Sequence, residues 1–463
     1  MEYKRRNVWL NIDDNQRSEL EEISKDYINF LNTAKTERLA AKEIIRRAKE
    51  NGFVDINEKI AAKNLKPGDK VYAQNKNKGV ALFVMGSEDL EDGMAIIGAH
   101  TDSPRLDLKP VPLSEDSNLA YFKTHYYGGV KKYQWTTIPL ELHGVIYTKD
   151  GQKVEISIGD KEDEPVFTIS ELLIHLSRKL MEKSAREVIE GEQLKILIGS
   201  IPLKDEDDNP VKKNILKILN EKYGIIEEDF ITAEFEAIPA IKARNAGLDN
   251  SMIIGHGHDD KVCSYSALNA IFNVENPKKT LVGLFVDKEE IGSKGNTGMY
   301  SQFFENTVLE LLNMNAKANL ISFKRALANS KVLSADVTAA FDPNYKDVSE
   351  LDNAAQFACG VALTKYTGSG GKGNSNDASA EYLQEVRAAF DKDNVIYQTG
   401  ELGAVDAGGG GTIAFILAQY NMDVVDCGTP VLSMHAPTEL ISKADLYSTY
   451  KAYKAFYENI WQE

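Results

Sequence analysis

The sequence predicts an α/β protein: a mixed, largely parallel sheet flanked by helices, with an inserted β-rich domain. Three observations predict it. Apolar strand-like runs and helical stretches succeed one another up to about His100 and again from about Phe235, the alternation expected of a sheet with parallel strands. Between them, from about Lys109 to Ile231, the pattern changes to short alternating runs separated by charged turns. Finally, 463 residues are too many for one ordinary core. The expected domains are 1–108 and 232–463, forming one body, and 109–231 as the insertion.

Leu20, Ile23, Tyr27 and Phe30 recur at helical spacing, and Ala34 to Ala48 continues that helix with good helix formers until Gly52. Val71 to Met85 reads as a hairpin turning at Asn77-Lys78-Gly79. Ala95 to Ala99 is a buried-strand run that ends at His100. In the insertion, Leu140, Leu142, Val145 and Tyr147, then Val154, Ile156 and Ile158, read as strands. Asp150-Gly151 and the acidic stretch Asp160 to Glu164 are their turns. Thr168-Ile169-Ser170-Glu171 has the form of a capping box, and Leu173, Leu176 and Leu180 form the apolar stripe of the helix it predicts. Beyond the insertion, Thr280 to Val286, Lys331 to Ala335 and Asp423 to Cys427 read as strands. Ser264 to Asn273, Ala378 to Phe390 and Leu446 to Ile460 read as helices.

Composition excludes several functions. Hydrophobic residues are 43% and charged residues 27% of the chain, a globular balance. With 54 basic against 70 acidic residues the net charge is −16, the wrong sign for nucleic acid or an anionic membrane. Three scattered cysteines form neither a disulfide framework nor a thiolate metal site. No run approaches the roughly 20 apolar residues of a membrane span. A cytoplasmic protein is expected.

The chemistry concentrates where strand-like runs end. Ile96-Ile97-Gly98-Ala99 ends at His100, Leu284-Phe285-Val286 leads to Asp287, Glu289 and Glu290, Val332 to Ala335 ends at Asp336, and Val431 to Met434 ends at His435. Sites of open α/β sheets lie beyond such ends. His100 and Asp102, two apart, share one side of an extended segment, so the carboxylate can fix the imidazole tautomer. The pairs Glu289-Glu290 and Asp259-Asp260 repel unless cations hold them. Histidine with carboxylates and no cysteine suits Zn²⁺, with Mn²⁺ or Co²⁺ as alternatives. His256 and His258 form a rival pair and are read as loop residues flanking the site.

Gly98-Ala99-His100-Thr101-Asp102-Ser103-Pro104, Asp287 to Ser293, Ser334-Ala335-Asp336 and Ser433-Met434-His435 together resemble, in order and over nearly the whole chain, the motifs of the aspartyl-aminopeptidase (M18) family of metallopeptidases. The resemblance implies a zinc-peptidase catalytic domain with two zinc ions per subunit. It also implies a cytosolic homo-oligomer, a dodecamer, acting on peptides with a free N-terminus. By position it makes Asp259 the bridge between metals, His100 and Asp336 ligands of one, Glu290 and His435 ligands of the other, Glu289 the general base and Asp102 the partner of His100. It places Lys365 near the pocket for the first side chain and has His175 reach a neighbouring subunit's site. The setting Gly257-His258-Asp259-Asp260-Lys261, in place of the family's Leu-Asp-Asn, and the glycine-rich stretches 367–377 and 408–411 leave the preferred N-terminal residue open. A related dinuclear deacylase or carboxypeptidase, or an inactive metal-stabilised scaffold, are the alternatives.

Overall fold

The computed structural model describes residues 2–461 and divides into two compact units. The first comprises Met1–Ser103, Ala243–Met434 and Glu439–Glu463. It is built on a nine-stranded sheet in the order Val54–Asp55, Lys70–Asn75, Gly79–Val84, Thr280–Val286, Met94–His100, Lys331–Ser334, Asp423–Gly428, Val361–Thr364, Tyr397–Thr399. Five of the eight pairings are parallel, and the antiparallel ones are the Lys70–Val84 hairpin, its junction to Thr280–Val286, and Asp423–Gly428 with Val361–Thr364. The expected mixed, largely parallel sheet is present.

Alternation explains why the central strands are apolar throughout. Ala95, Ile97 and Ala99 face one core, shared with the helices Asp14–Thr33, Glu37–Glu50, His258–Phe272, Ala380–Lys392 and Lys443–Asn459. Met94 and Ile96 face the other, under Phe303–Met314, Leu320–Ala328 and Ala414–Ala418. A strand covered on both faces reads as a continuous apolar run. The N-terminal helix does not run on through Ala34 as the sequence suggests. Thr36 starts a second helix, its side chain accepting from the Leu39 amide at 3.3 Å.

A second sheet of five strands follows the order Arg244–Ala246, Met252–Gly255, Glu439–Ser442, Pro430–Leu432, Thr338–Ala339. The strand preceding His435 therefore belongs here and not to the main sheet as the strand-end pattern implies: the chain leaves one sheet at Gly428 and enters the other at Pro430.

The second unit, Pro104–Lys242 with His435–Thr438, is the β-rich insertion. Its six-stranded, wholly antiparallel sheet runs Lys153–Ile158, Leu140–Tyr147, Glu234–Pro239, Arg105–Asp116, Leu119–Tyr127, Ile196–Gly199. The outer parts of Arg105–Asp116 and Glu234–Pro239 extend the unit beyond 109–231. The helix Pro210–Tyr223 packs on this sheet through Leu219 and its partly buried neighbours Ile215 and Leu216. The helix expected from Thr168 is absent. Thr168 is extended against Leu197, and Glu171, needed for the capping box, accepts from Thr136 instead. Only the turn Ile174–Leu176 remains. Leu173, Ile174 and Leu176 are 53%, 70% and 68% exposed, and a stripe with no core to face does not sustain a helix. Among the described residues no helix is long and apolar enough to cross a membrane.

Candidate metal centre

Three adjacent parallel strands of the main sheet bring the candidate residues of the first unit together. Met94–His100 lies between Thr280–Val286 and Lys331–Ser334, with His100 in register with Val286 and Gly98 with Ser334. Chain leaving the carboxyl ends of these strands thus delivers His100 and Asp102, then Glu289 and Glu290, then Asp336, to one rim of the sheet.

His100 is buried and organised at both nitrogens. Its Nδ1 lies 3.0 Å from the Asp102 carbonyl oxygen and 3.3 Å from Asp102 Oδ1. Its Nε2 points at carboxylates: Asp259 Oδ1 at 3.1 Å, with Glu289 Oε2 and Asp336 Oδ1 each at 3.9 Å. Asp102 also accepts the backbone N–H of Glu289 on one oxygen and of Glu290 on the other, each at 3.2 Å. One carboxylate therefore orients the imidazole and pins the turn that carries the glutamate pair. That turn is re-aimed by Lys288, which is in the left-handed region at φ 68°.

Asp259 and Asp260 open the helix His258–Phe272 with non-helical dihedrals, so both carboxylates project away from the regular turns. The Asp259 amide donates to Glu439 Oε2 at 3.1 Å, and its carbonyl accepts from Ser103 Oγ at 2.8 Å. Ser103 Oγ in turn accepts from the buried Lys261 Nζ at 2.6 Å. Gly257 makes room for this pair: at φ 75°, a Cβ there would lie 2.8 Å from both Lys261 Nζ and Ser103 Oγ. The His100 amide donates to Asp260 Oδ2 at 3.3 Å, and Ser264 Oγ donates to the His100 carbonyl at 2.8 Å.

Two sets of donor atoms converge among the described residues, His100 with Asp259 and Glu290, and His100 with Asp260 and Asp336, each set lying within 4.8 Å. Burial, with Glu289, Asp260 and Asp259 alongside, pushes the Asp336 carboxyl well above its ordinary range despite the nearby His100. Burial likewise raises Asp260, with Asp259 adding to it. Burial pulls His100 down, but Asp102, Asp259 and Asp336 outweigh it and raise its pKa well above the usual value. A buried crowd of carboxylates around one tautomer-fixed imidazole, without thiolates, fits a divalent cation such as Zn²⁺.

The remaining candidates are outside both donor sets. His258 is buried in the core, Nδ1 at 2.7 Å from the Tyr27 hydroxyl, and burial lowers its pKa to about 3. It is a neutral packing residue. His256 is half-buried beside it in sequence. His435 groups with the second unit, where its Nδ1 lies 3.1 Å from the Gly129 carbonyl. Lys365 is exposed and ion-paired with Asp377 at 3.0 Å, an anion that Lys372 shares at 2.9 Å. His175 is exposed on the Ile174–Leu176 turn. Sequence reasoning did not single out Asp260 as a member of a donor set, nor Lys261 and Ser103 as supports; the Asp259-Asp260 pair itself was the available signal for the first.

Known proteins share this sequence and fold. The family described as Aminopeptidase I zinc metalloprotease (M18) matches residues 30–457. A probable M18 family aminopeptidase 1 of Clostridium acetobutylicum is 52% identical, over 99% of this chain and 98% of that protein. The corresponding Thermotoga maritima protein is 47% identical, over 99% and 100%. The crystal structure of the M18 family aminopeptidase from T. maritima superimposes with a TM-score of 0.95 at 46% identity, over 99% of this chain and 100% of that one. A dodecameric Saccharomyces cerevisiae structure, mApe1, shares the fold at a TM-score of 0.75 and 20% identity, over 94% and 96%.

Proposed function

Because the chain belongs to the M18 aminopeptidase I family of zinc metalloproteases, and is a metalloaminopeptidase, we propose that it removes N-terminal residues from peptides at a two-zinc centre with Glu289 as general base. The observation that carries the reading is the convergence of two donor sets on His100 with Glu289 Oε2 only 3.9 Å from its Nε2. His100, Asp259, Asp260, Glu290 and Asp336 would hold the metals, Asp259 as the bridge, and His435 joins them on the likeness of Ser433-Met434-His435 to the family motif. Bound Zn²⁺ supplies Lewis acidity toward the scissile carbonyl and toward water.

The chain's own residues do the rest. Glu289, adjacent to a ligand but outside both donor sets, accepts a proton from the attacking water and returns it to the leaving amine. Asp102 holds the Glu289 amide, so the base keeps its place as the carboxylate changes charge. The substrate's free α-amino group would meet the metals that these residues hold, which selects peptides with an open N-terminus. Lys365, already paired with Asp377, is the proposed contact for the first side chain. Assembly as a dodecamer is proposed from the mApe1 dodecamer, and a cytoplasmic location from the sequence.

The decisive experiment is Glu289→Gln, with metal content and turnover of a panel of aminoacyl-p-nitroanilides measured on the same preparation. The amide should keep both zinc equivalents and lose about 10²–10⁴ in kcat. Loss of metal in step with activity would make Glu289 a ligand and overturn the assignment.

A further inference from the structure

The inserted unit contains a cavity that none of this chemistry uses. About 470 Å³ lies between the antiparallel sheet and the helix Pro210–Tyr223. That volume is in the range of roughly 300–1,000 Å³ typical of small-molecule sites. Apart from Thr168, Gly199, Ser200, Lys222 and Tyr223, every lining residue is apolar. Leu142, Phe230 and Phe235 come from the sheet side and are at most 4% exposed, and Ile225 is fully buried. The mouth is apolar as well: Val166 is 53% and Ile218 47% exposed.

Charge selects the occupant. Among the described residues no acidic one lines the cavity, although acidic residues outnumber basic ones 70 to 54 in the chain. The one charged lining group among the described residues is Lys222, exposed at the end of the helix with its ammonium 5.1 Å from the Tyr223 ring. Glu164 is the acidic group facing that lysine, and its carboxylate is already engaged by Lys161 Nζ at 3.2 Å and by the Gly159 amide at 3.1 Å. An apolar slot with a lysine at its edge matches a flexible hydrocarbon tail that ends in an anion.

We propose that this cavity binds a single-chain amphiphile with an anionic head, its tail among Leu142, Phe167, Leu219, Ile225 and Phe230 and its head at Lys222. The proposal does not depend on the metal centre. Gly199 lets the helix come close to the sheet, since a Cβ there would lie 2.7 Å from Ile215 Cδ1.

The test is calorimetric titration of the full-length, zinc-replete protein with dodecanoate below its micelle concentration. One saturable site per chain is expected. Leu219→Trp, which fills the slot, should weaken it at least about tenfold, and Lys222→Glu should weaken dodecanoate about fivefold while leaving dodecanol unchanged. Circular dichroism checks folding; should Leu219→Trp not fold, Ile218→Trp at the exposed mouth takes its place. Absence of saturable binding, or binding indifferent to the filling variants, overturns the proposal. Dodecyltrimethylammonium binding as tightly as dodecanoate overturns the assignment of Lys222. A change in oligomer mass on adding dodecanoate, read by light scattering, would show that the slot holds a second copy of the chain and overturns it as well.

Discussion

Ser103 joins two roles in one hydroxyl. It accepts from Lys261 and donates to the carbonyl of Asp259, so a buried cation reaches the ligand's backbone through a single side chain. Removing the outer supports of metal ligands typically costs about 10–100-fold in metal affinity. Ser103→Ala should therefore release zinc at about 10–100-fold lower chelator concentration, with kcat of the zinc-saturated variant within about tenfold of the parent, and Ser103→Thr, which keeps the hydroxyl, should restore retention. Unchanged retention in the alanine variant would reduce the pair to packing. Nothing in the sequence announced this support. A lysine beside two aspartates reads as solvated, and only the fold shows that Lys261 is 1% exposed.

At the scale of elements, the strand Asp423–Gly428 lies parallel to Lys331–Ser334 with Asp426 in register with Ser334. Asp426 accepts from Thr412 Oγ1 at 2.6 Å, tying the glycine-rich segment before Thr412 to the strand beside the one that leads into Asp336. Burial pushes the Asp426 carboxyl up from 3.8 to about 6, against the hydroxyls of Thr412 and Ser334 that pull it down. The folded state thus holds a proton that the unfolded chain releases at lower pH. Stability from this group is fully present below about pH 4, falls as pH rises to about 6, and is level above that. Asp426→Asn, which cannot ionise, should gain on the parent by up to about 3 kcal/mol between those limits and no more beyond them. Denaturant titrations at pH 4, 5, 6 and 7 check it, and a pH-independent difference would place the proton elsewhere. The central main-sheet strands were legible because burial on both faces leaves an uninterrupted apolar run, whereas Val54–Asp55, Val361–Thr364 and Tyr397–Thr399 went unread. The Thr168 helix was misread because periodicity reports an apolar face but not whether anything covers it. The break at Thr36 was missed because one capping threonine outweighs good helix formers on both sides.

At the scale of the molecule, the convergence of His100, Glu290 and Asp336 was legible, since side chains at strand ends need only the order of strands to meet. Asp260 was not, because two adjacent carboxylates can reach different neighbours only if the backbone departs from the helix, as it does here. The exposed Leu173, Ile174 and Leu176 around His175 are what a segment awaiting another subunit would show. If His175 acts across an interface, His175→Ala should fold, retain metal and lose about 10²–10³ in kcat. Co-assembled with Glu289→Gln subunits, it should recover activity that neither variant has alone. Verified mixed oligomers without recovery would rule out action in trans.

Both donor sets contain His100, and their other members stand as far along the chain as Asp336. No local segment therefore carries a complete set: a fragment beginning after residue 100 has neither, and one ending before residue 259 has none of the partners. His100 stands 159 residues from Asp259, and closing so long a stretch of chain carries its entropy cost before any ligand atom meets another. Affinity for the cation is in this sense a property of the finished sheet and not of any motif, so the four short sequence signatures are addresses whose meaning depends on the topology that gathers them.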